Sequence, residues 1–304
     1  MGAQILDGKT ISEQFRADVK AAVSRLNAQG IPLCLAVVLV GNDPASQSYV
    51  KAKRKALAEA GISDRSIMLP ENVSETSLLE TIRTLNDDPA VNGILVQLPL
   101  PPQIDGRKVI ETISPAKDVD GFTAANIADM FYGDECFLPC TPQGICELLR
   151  KAGIQTDGAN VVIIGRSTIV GKPLALLLMR KEFNATVTVC HSGTKHLGEI
   201  TKSADILVVA SGHPGTVTKD MVKPGSVVID VGVNRIPDAS RQSGYRLCGD
   251  VDYEAVRTVA GYITPVPGGV GPMTIAMLMH NTVVAGCRQH GLPDELTLSK
   301  GGTK

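Results

Sequence analysis

The stretch Val161-Val-Ile-Ile-Gly165-Arg166-Ser167-Thr-Ile-Val-Gly171-Lys-Pro173 reads as a buried strand, a short turn and the opening of a helix. Four β-branched apolar residues in succession suit a strand covered on both faces. A proline shortly after Gly171 suits a first helical turn, whose unpaired backbone N–H groups are open to phosphate. The spacing departs from G-x-G-x-x-G, because Ser167 stands at the second glycine and Val170 precedes the last one. The strand-turn-helix context therefore carries the nucleotide-binding reading, against an ordinary strand-to-helix turn.

Outward from this turn the same alternation continues, with strands expected at 186–190, 206–209 and 226–230 and helices between them. Upstream, Ile11, Phe15, Val19, Val23 and Leu26 mark one helical face that ends at Gly30. A strand at 33–40, a helix at 44–60, a short strand at 67–69, a helix at 77–85 and a strand at 93–97 follow. The pattern restarts at Thr141-Pro142, read as an N-cap and a first-turn proline. Alternation of this kind predicts an α/β fold with parallel sheets and right-handed crossovers. The expectation is two three-layer α/β domains flanking a cleft, the second a Rossmann-like doubly wound parallel sheet. The first domain spans 1–139, the second 140–272, and a C-terminal helix at 273–304 returns to the first. The polar tail at 299–304 is expected to fray.

Thirty basic residues against 31 acidic ones leave a net charge of −1, so no overall field draws the chain to nucleic acid or to an anionic membrane. Aromatic residues make up only 3%, which argues further against base stacking on single strands. No apolar run is read as approaching the about 18 residues of a membrane span. The seven cysteines form no C-x-x-C pair and are odd in number, which disfavours a disulfide framework or a zinc ribbon and suits a reducing, cytoplasmic setting. Histidines 191, 196, 213, 280 and 290 have no metal-ligand spacing, so no metal is expected.

A site for NAD would place an acidic residue about 20 residues beyond the glycine turn, at the end of the second strand. The chain there reads Cys190-His-Ser192-Gly-Thr-Lys195, without a carboxylate. Arg166, Lys195 and the hydroxyl groups suit a 2′-phosphate instead, and NADP is expected. Two further segments suit a dinucleotide cleft: Val228-Ile-Asp230-Val-Gly232-Val233-Asn234 and the Gly/Pro-dense Thr264-Pro-Val-Pro-Gly-Gly-Val-Gly-Pro-Met-Thr274.

In the first domain Tyr49 and Lys53 lie four residues apart on an expected helix and so share a face. A solvated helix with Lys51, Lys53, Arg54 and Lys55 facing water is the plain reading of that segment alone. Gln97, at a strand end, could orient an amine without adding the negative charge that would raise its pKa. A core glutamine satisfied by backbone is its alternative. Asp118 and Asp120 occupy a loop where aspartate often makes a local turn.

Taken together, Tyr49-x-x-x-Lys53, Val96-Gln97-Leu-Pro-Leu-Pro101, Lys117-Asp-Val-Asp120-Gly-Phe122, Gly165-Arg-Ser-x-x-Val-Gly-x-Pro173 and Pro265-Val-Pro-Gly-Gly-Val-Gly-Pro-Met-Thr274 resemble one family, in order across residues 4–290. It is the bifunctional methylenetetrahydrofolate dehydrogenase/methenyltetrahydrofolate cyclohydrolase. The resemblance implies NADP-dependent oxidation of 5,10-methylenetetrahydrofolate, then hydrolysis of the methenyl product to 10-formyltetrahydrofolate in one interdomain cleft, by a homodimer. Carried over, Lys53 is the general acid/base, Tyr49 stacks on or lines the folate ring, Gln97 positions Lys53, and Asp120 anchors the pterin amino group. Gly165, Arg166, Ser167, Ser192 and Val233 match cofactor-contacting positions.

Short-chain dehydrogenases share Tyr-x-x-x-Lys, but there the glycine turn precedes the pair, and here it follows. A dehydrogenase-only relative and a non-catalytic NADP- or folate-binding sensor are the remaining alternatives, because fold does not settle function.

Overall fold

The computed structural model describes residues 2–241, 244–294 and 296. Its described residues form two compact units, one holding the chain up to Glu13 and Thr141–Thr274, the other Gln14–Cys140 and the described residues that follow Thr274. In chain order come β1 (Gln4–Ile5), α1 (Gly8–Ala28), β2 (Cys34–Val40), α2 (Pro44–Ala60), β3 (Ser63–Leu69), α3 (Glu75–Asp87) and β4 (Gly93–Val96). Then follow α4 (Gly106–Thr112), α5 (Ala124–Tyr132), α6 (Cys140–Lys151), β5 (Asn160–Ile164), α7 (Gly171–Leu178), β6 (Thr186–Cys190), α8 (Leu197–Lys202) and β7 (Ile206–Val209). The chain continues through β8 (Val227–Asp230), β9 (Asn234–Pro237), β10 (Tyr245–Cys248), α9 (Tyr253–Val256), β11 (Tyr262–Ile263) and α10 (Val270–Gln289).

In the unit of Gln14–Cys140, the described strands form a parallel sheet in the order β3-β2-β4. From Leu35 to Val40 β2 is buried throughout, as its unbroken apolar sequence requires. Leu78, Ile82 and Leu85, spaced at three and four residues on α3, bury against this sheet with Ala36, Val38, Ile94 and Val96. Each such side chain stabilises the fold by about 1.5–3 kcal/mol on transfer from water. At the start of α2 the Asp43 carboxylate accepts from Ser46 N at 2.7 Å and Pro44 occupies the first turn. Gly61 ends that helix in the left-handed conformation, at φ 82°.

The other unit contains six parallel strands in the order β1-β11-β8-β7-β5-β6. From β5 the chain first adds β6 on one side and later β7 on the other. The sheet therefore has a topological switch point at the carboxyl end of β5, where open α/β folds bind ligands. Val162, Ile164, Leu207, Val209, Val228 and Ile263 supply one side of its core.

Several boundaries differ from the sequence reading. Residues before Glu13 join the second sheet and not a 1–139 domain, because Gln4 and Ile5 pair with Tyr262 and Ile263. A two-residue strand has no periodicity by which to find it. Helix α6 begins at Cys140, so Thr141 lies in its first turn and not at its cap. β9 and β10 form an antiparallel ribbon that was not foreseen.

The last helix starts at Val270 and ends at Gln289, short of the expected 273–304, and residues 297–304 lie outside the described ones. From Ile275 it does group with Gln14–Cys140. At 20 residues it is long and apolar enough to cross a membrane by composition, which the sequence reading overlooked. It is mostly buried within the protein, as the core helix of a globular fold would be.

Candidate active site

Lys53 lies on α2, which begins just beyond the carboxyl end of β2, and Gln97 directly follows β4, the neighbour of β2. The Lys53 Nζ donates to Gln97 Oε1 at 3.0 Å. Gln97 Nε2 in turn donates to the Leu98 carbonyl at 2.7 Å, which fixes the amide with its oxygen toward the amine. Lys53 is buried, and that burial holds its pKa below the usual lysine range. The negative charge of Asp120 opposes the shift. The plain reading of Lys53 as a water-facing charge does not hold.

A parallel bridge between Ile94 and Asp118 aligns the Lys117–Gly121 segment with β4, so that Asp120 lies two residues beyond the bridge as Val96 does on the strand. The two aspartates divide the work. Asp118 is buried and accepts from Gly121 N at 2.9 Å, Thr123 N at 2.7 Å and Asn126 Nδ2 at 2.9 Å. It is the brace of its own loop. Asp120 instead faces Lys53 and Cys140, and burial raises its pKa against the lowering effect of Lys53. Tyr49 sits one turn before Lys53 on α2 and is 37% exposed.

Two residues of this site were not singled out in the sequence. Cys140 is fully buried and donates to the Val119 carbonyl at 3.3 Å, and its thiol pKa is pushed well up by burial and by the neighbouring Asp120 charge. Asn281 on α10 donates to Val119 O at 2.9 Å and Leu138 O at 3.1 Å, holding both flanks of the Asp120 loop. The available signal was a polar run, His280-Asn281-Thr282, inside a mostly apolar helix. None of the seven cysteines forms a disulfide.

In the other unit, Gly165 follows β5 at φ 128°, where a Cβ would lie 2.3 Å from Ala210 O. A Cβ on Gly171 would lie 2.0 Å from Gly165 O. Both positions need glycine for close backbone approach. The Ser167 hydroxyl accepts from Val170 N at 3.1 Å and Gly171 N at 3.4 Å, so it holds the turn that leads into α7 and keeps its own O–H to donate. Its place at the second glycine thus has a structural reason.

Ile164 and Cys190 are paired partners at the ends of β5 and β6. Arg166 and Ser192 each lie two residues further on, both exposed at the same sheet edge. The turn after β6 is closed by His191 N to Thr194 Oγ1 at 2.9 Å and presents no carboxylate. Val233, in the loop after β8, is exposed at 44%. The Gly/Pro segment after β11 has a packing explanation of its own, since a Cβ on Gly8 would lie 1.8 Å from Gly269 O and Lys9 N donates to Gly268 O at 3.0 Å.

Residues 6–120 match the model of the tetrahydrofolate dehydrogenase/cyclohydrolase catalytic domain, and residues 139–290 match that of the same family's NAD(P)-binding domain. The chain belongs to the tetrahydrofolate dehydrogenase/cyclohydrolase family. It is 53% identical over 294 residues to the bifunctional protein FolD of Syntrophus aciditrophicus, covering 96% of this chain and 100% of that one. The crystal structure of the bifunctional dehydrogenase/cyclohydrolase FolD from Campylobacter jejuni is similar at a TM-score of 0.89 and 48% identity, with 94% and 99% of the two chains covered. A Trypanosoma brucei FolD solved with NADP and an inhibitor matches at a TM-score of 0.91 and 39% identity, with coverage of 95% and 98%. Within this family fold, the Lys53–Gln97 pair belongs to the catalytic-domain match and the Gly165 turn to the NAD(P)-binding match.

Proposed function

We propose that the chain oxidises 5,10-methylenetetrahydrofolate to 5,10-methenyltetrahydrofolate with NADP, and hydrolyses that product to 10-formyltetrahydrofolate. The observation that supports this most directly is the buried Lys53 amine held on Gln97 Oε1 at 3.0 Å. A neutral amine can take a proton at moderate pH, and the cationic methenyl substrate favours that neutral form further.

Lys53 removes a proton from water as the water oxygen bonds to the methenyl carbon. It then returns a proton to N5 as the carbon–N5 bond opens, while the adduct's hydroxyl proton leaves to solvent and the formyl group remains on N10. Gln97 holds the amine in place for both transfers. Asp120 binds the 2-amino pyrimidinone edge of the pterin, where a carboxylate meets two N–H groups, and Tyr49 packs on the ring.

The residues fit NADP: Gly165 and Gly171 leave room only for a hydrogen where backbone must approach closely, and the β6 turn offers Ser192 in place of a carboxylate. Gly165, Arg166, Ser167, Ser192 and Val233 would hold it. When bound it accepts the hydride, a step that needs no protein base because the product cation is resonance-stabilised. The same reading extends to a homodimer, which sedimentation of the purified protein would test, and to a cytoplasmic setting, which fractionation of cells would test.

The deciding experiment follows NADPH formation and methenyl decay at separate wavelengths with purified protein and methylenetetrahydrofolate. NADPH formation together with methenyl decay faster than the spontaneous rate is expected. NADPH formation with only spontaneous decay would leave a dehydrogenase alone, and neither would leave a binding protein. Equal turnover with NAD would overturn the assignment of NADP.

A further inference from the structure

Asp230, the last residue of β8, and Asp250, just after β10, are both buried. Among the described ion pairs neither meets a cation. Asp250 Oδ2 accepts from Ser211 N at 2.7 Å, Gly212 N at 2.8 Å and Ser211 Oγ at 2.9 Å, and its Oδ1 accepts from Asn234 Nδ2 at 2.8 Å. Asp230 Oδ1 accepts from Gly232 N at 3.0 Å and Asp250 N at 2.9 Å, and its Oδ2 accepts from Val251 N at 3.0 Å. The Asp230 amide itself donates to Thr264 Oγ1 at 2.7 Å. One hydrogen-bonded chain therefore runs across the carboxyl ends of β7, β8 and β11.

Burial pushes Asp230 up to about 6. The fold makes room for the two carboxylates at specific points: a Cβ on Gly232 would lie 2.1 Å from Asp250 Oδ1, and one on Gly249 would lie 1.8 Å from Asp230 Oδ2. The turn that Asp250 gathers starts at Ala210, and Ala210 O is the atom that a Cβ on Gly165 would strike at 2.3 Å. Ala210 N also donates to Ile164 O at 2.8 Å. Behind the glycine turn stands the 210–212 turn, and behind that turn stands Asp250. On the other side, Gly232, bonded to Asp230, immediately precedes Val233.

We propose that Asp250 is a positioning residue for the dinucleotide, setting the affinity for NADP by fixing the turn that backs Gly165 and, through Asp230, the loop that carries Val233. It touches neither folate nor the reacting atoms. This rests on the reading of the second unit as an NADP site.

The test compares wild type with Asp250→Asn, which keeps the shape but turns an N–H donor toward amides that need an acceptor. Calorimetric titration with NADP, KM for NADP and for methylenetetrahydrofolate, kcat at saturating NADP, methenyl hydrolysis without nucleotide and melting temperature are measured together. The dissociation constant and KM for NADP are expected to rise by about tenfold or more, as loss of charge-assisted hydrogen bonds produces. The folate KM, kcat and hydrolysis rate are expected to stay within about twofold.

Ser211→Ala, which removes one donor to Asp250 and spares the backbone, decides the matter if the first variant does not fold. A smaller rise confined to NADP supports the proposal. Unchanged NADP binding in a folded variant, even with a lowered melting temperature, makes Asp250 a stability residue and overturns it. A wild-type chain that binds no NADP overturns instead the reading on which the proposal rests.

Discussion

Lys53 and Gln97 face each other across 3.0 Å, amine to amide oxygen, from the third turn of α2 and the residue after β4. The amide NH2 is held by Leu98 O, so Gln97 presents an acceptor that carries no charge. A glutamate there would hold the amine protonated. The glutamine instead leaves burial as the dominant influence on Lys53.

Lys53→Met should therefore lose methenyl hydrolysis by about 10²-fold or more, the usual size of a general acid–base contribution. Hydride transfer to NADP should remain measurable, since it needs orientation and no protein base. The two-wavelength assay separates these outcomes, and hydrolysis at the wild-type rate would remove Lys53 from its role.

The pH dependence follows from the same amine. Hydrolysis should rise with pH along an ionisation below the ordinary lysine value of 10.5, because burial favours the neutral amine. The Asp120 charge raises that ionisation, so Asp120→Asn should move the midpoint to lower pH. A midpoint that stayed put or moved upward in the variant would contradict the coupling. In stability the sign is opposite to that of a salt bridge: the unfolded chain binds the extra proton, so this group's contribution improves as pH rises from the depressed folded pKa toward 10.5.

The neighbouring aspartates should separate stability from function. Asp118→Ala strands the Thr123 amide in a buried loop, while Gly121 N keeps the Asp118 carbonyl and Asn126 Nδ2 keeps the Pro115 carbonyl, and urea unfolding should register a loss of about 1–3 kcal/mol. Asp120→Asn should not destabilise above the usual carboxylate range, since burial already penalises its charge, yet it should raise the folate KM. At lower pH, where Asp120 is protonated in both states, any gain in stability over wild type should vanish. Equal unfolding losses from the two changes would refute this division.

Gly171→Ala places a methyl group 2.0 Å from Gly165 O, a contact with backbone that no rotamer relieves. The turn must open, and a displacement of that kind costs on the order of 10²-fold in a positioned reaction. NADP-dependent turnover should fall by that order while hydrolysis without nucleotide persists. Retention of the wild-type KM for NADP in the alanine variant would show that the turn does not cradle the nucleotide.

The elements legible in the sequence were those with an unambiguous local signal. The strand expected at 33–40 and the helices expected at 44–60 and 77–85 appear as β2, α2 and α3, within a residue or two at each end. β1 and β11 escaped because they are two residues long and exist through pairing with strands distant in the chain, and β9 and β10 because each is only four residues long. Lys53, Gln97, Asp120 and the Gly165 turn were identified as candidates by residue type, order and family likeness.

Sequence by itself determined the alternation of strands and helices, the absence of a carboxylate in the β6 turn, and the family, because local propensity and motif order need no third dimension. Only the tertiary structure decided which charges are buried and what they meet. It set Lys53 on Gln97, spent Asp118 on its own loop and left Asp120 to the amine, and made Cys140 and Asn281 part of that site. Desolvation and hydrogen-bond geometry depend on groups distant along the chain, Asn281 lying 162 residues from Val119, and no window of sequence contains both.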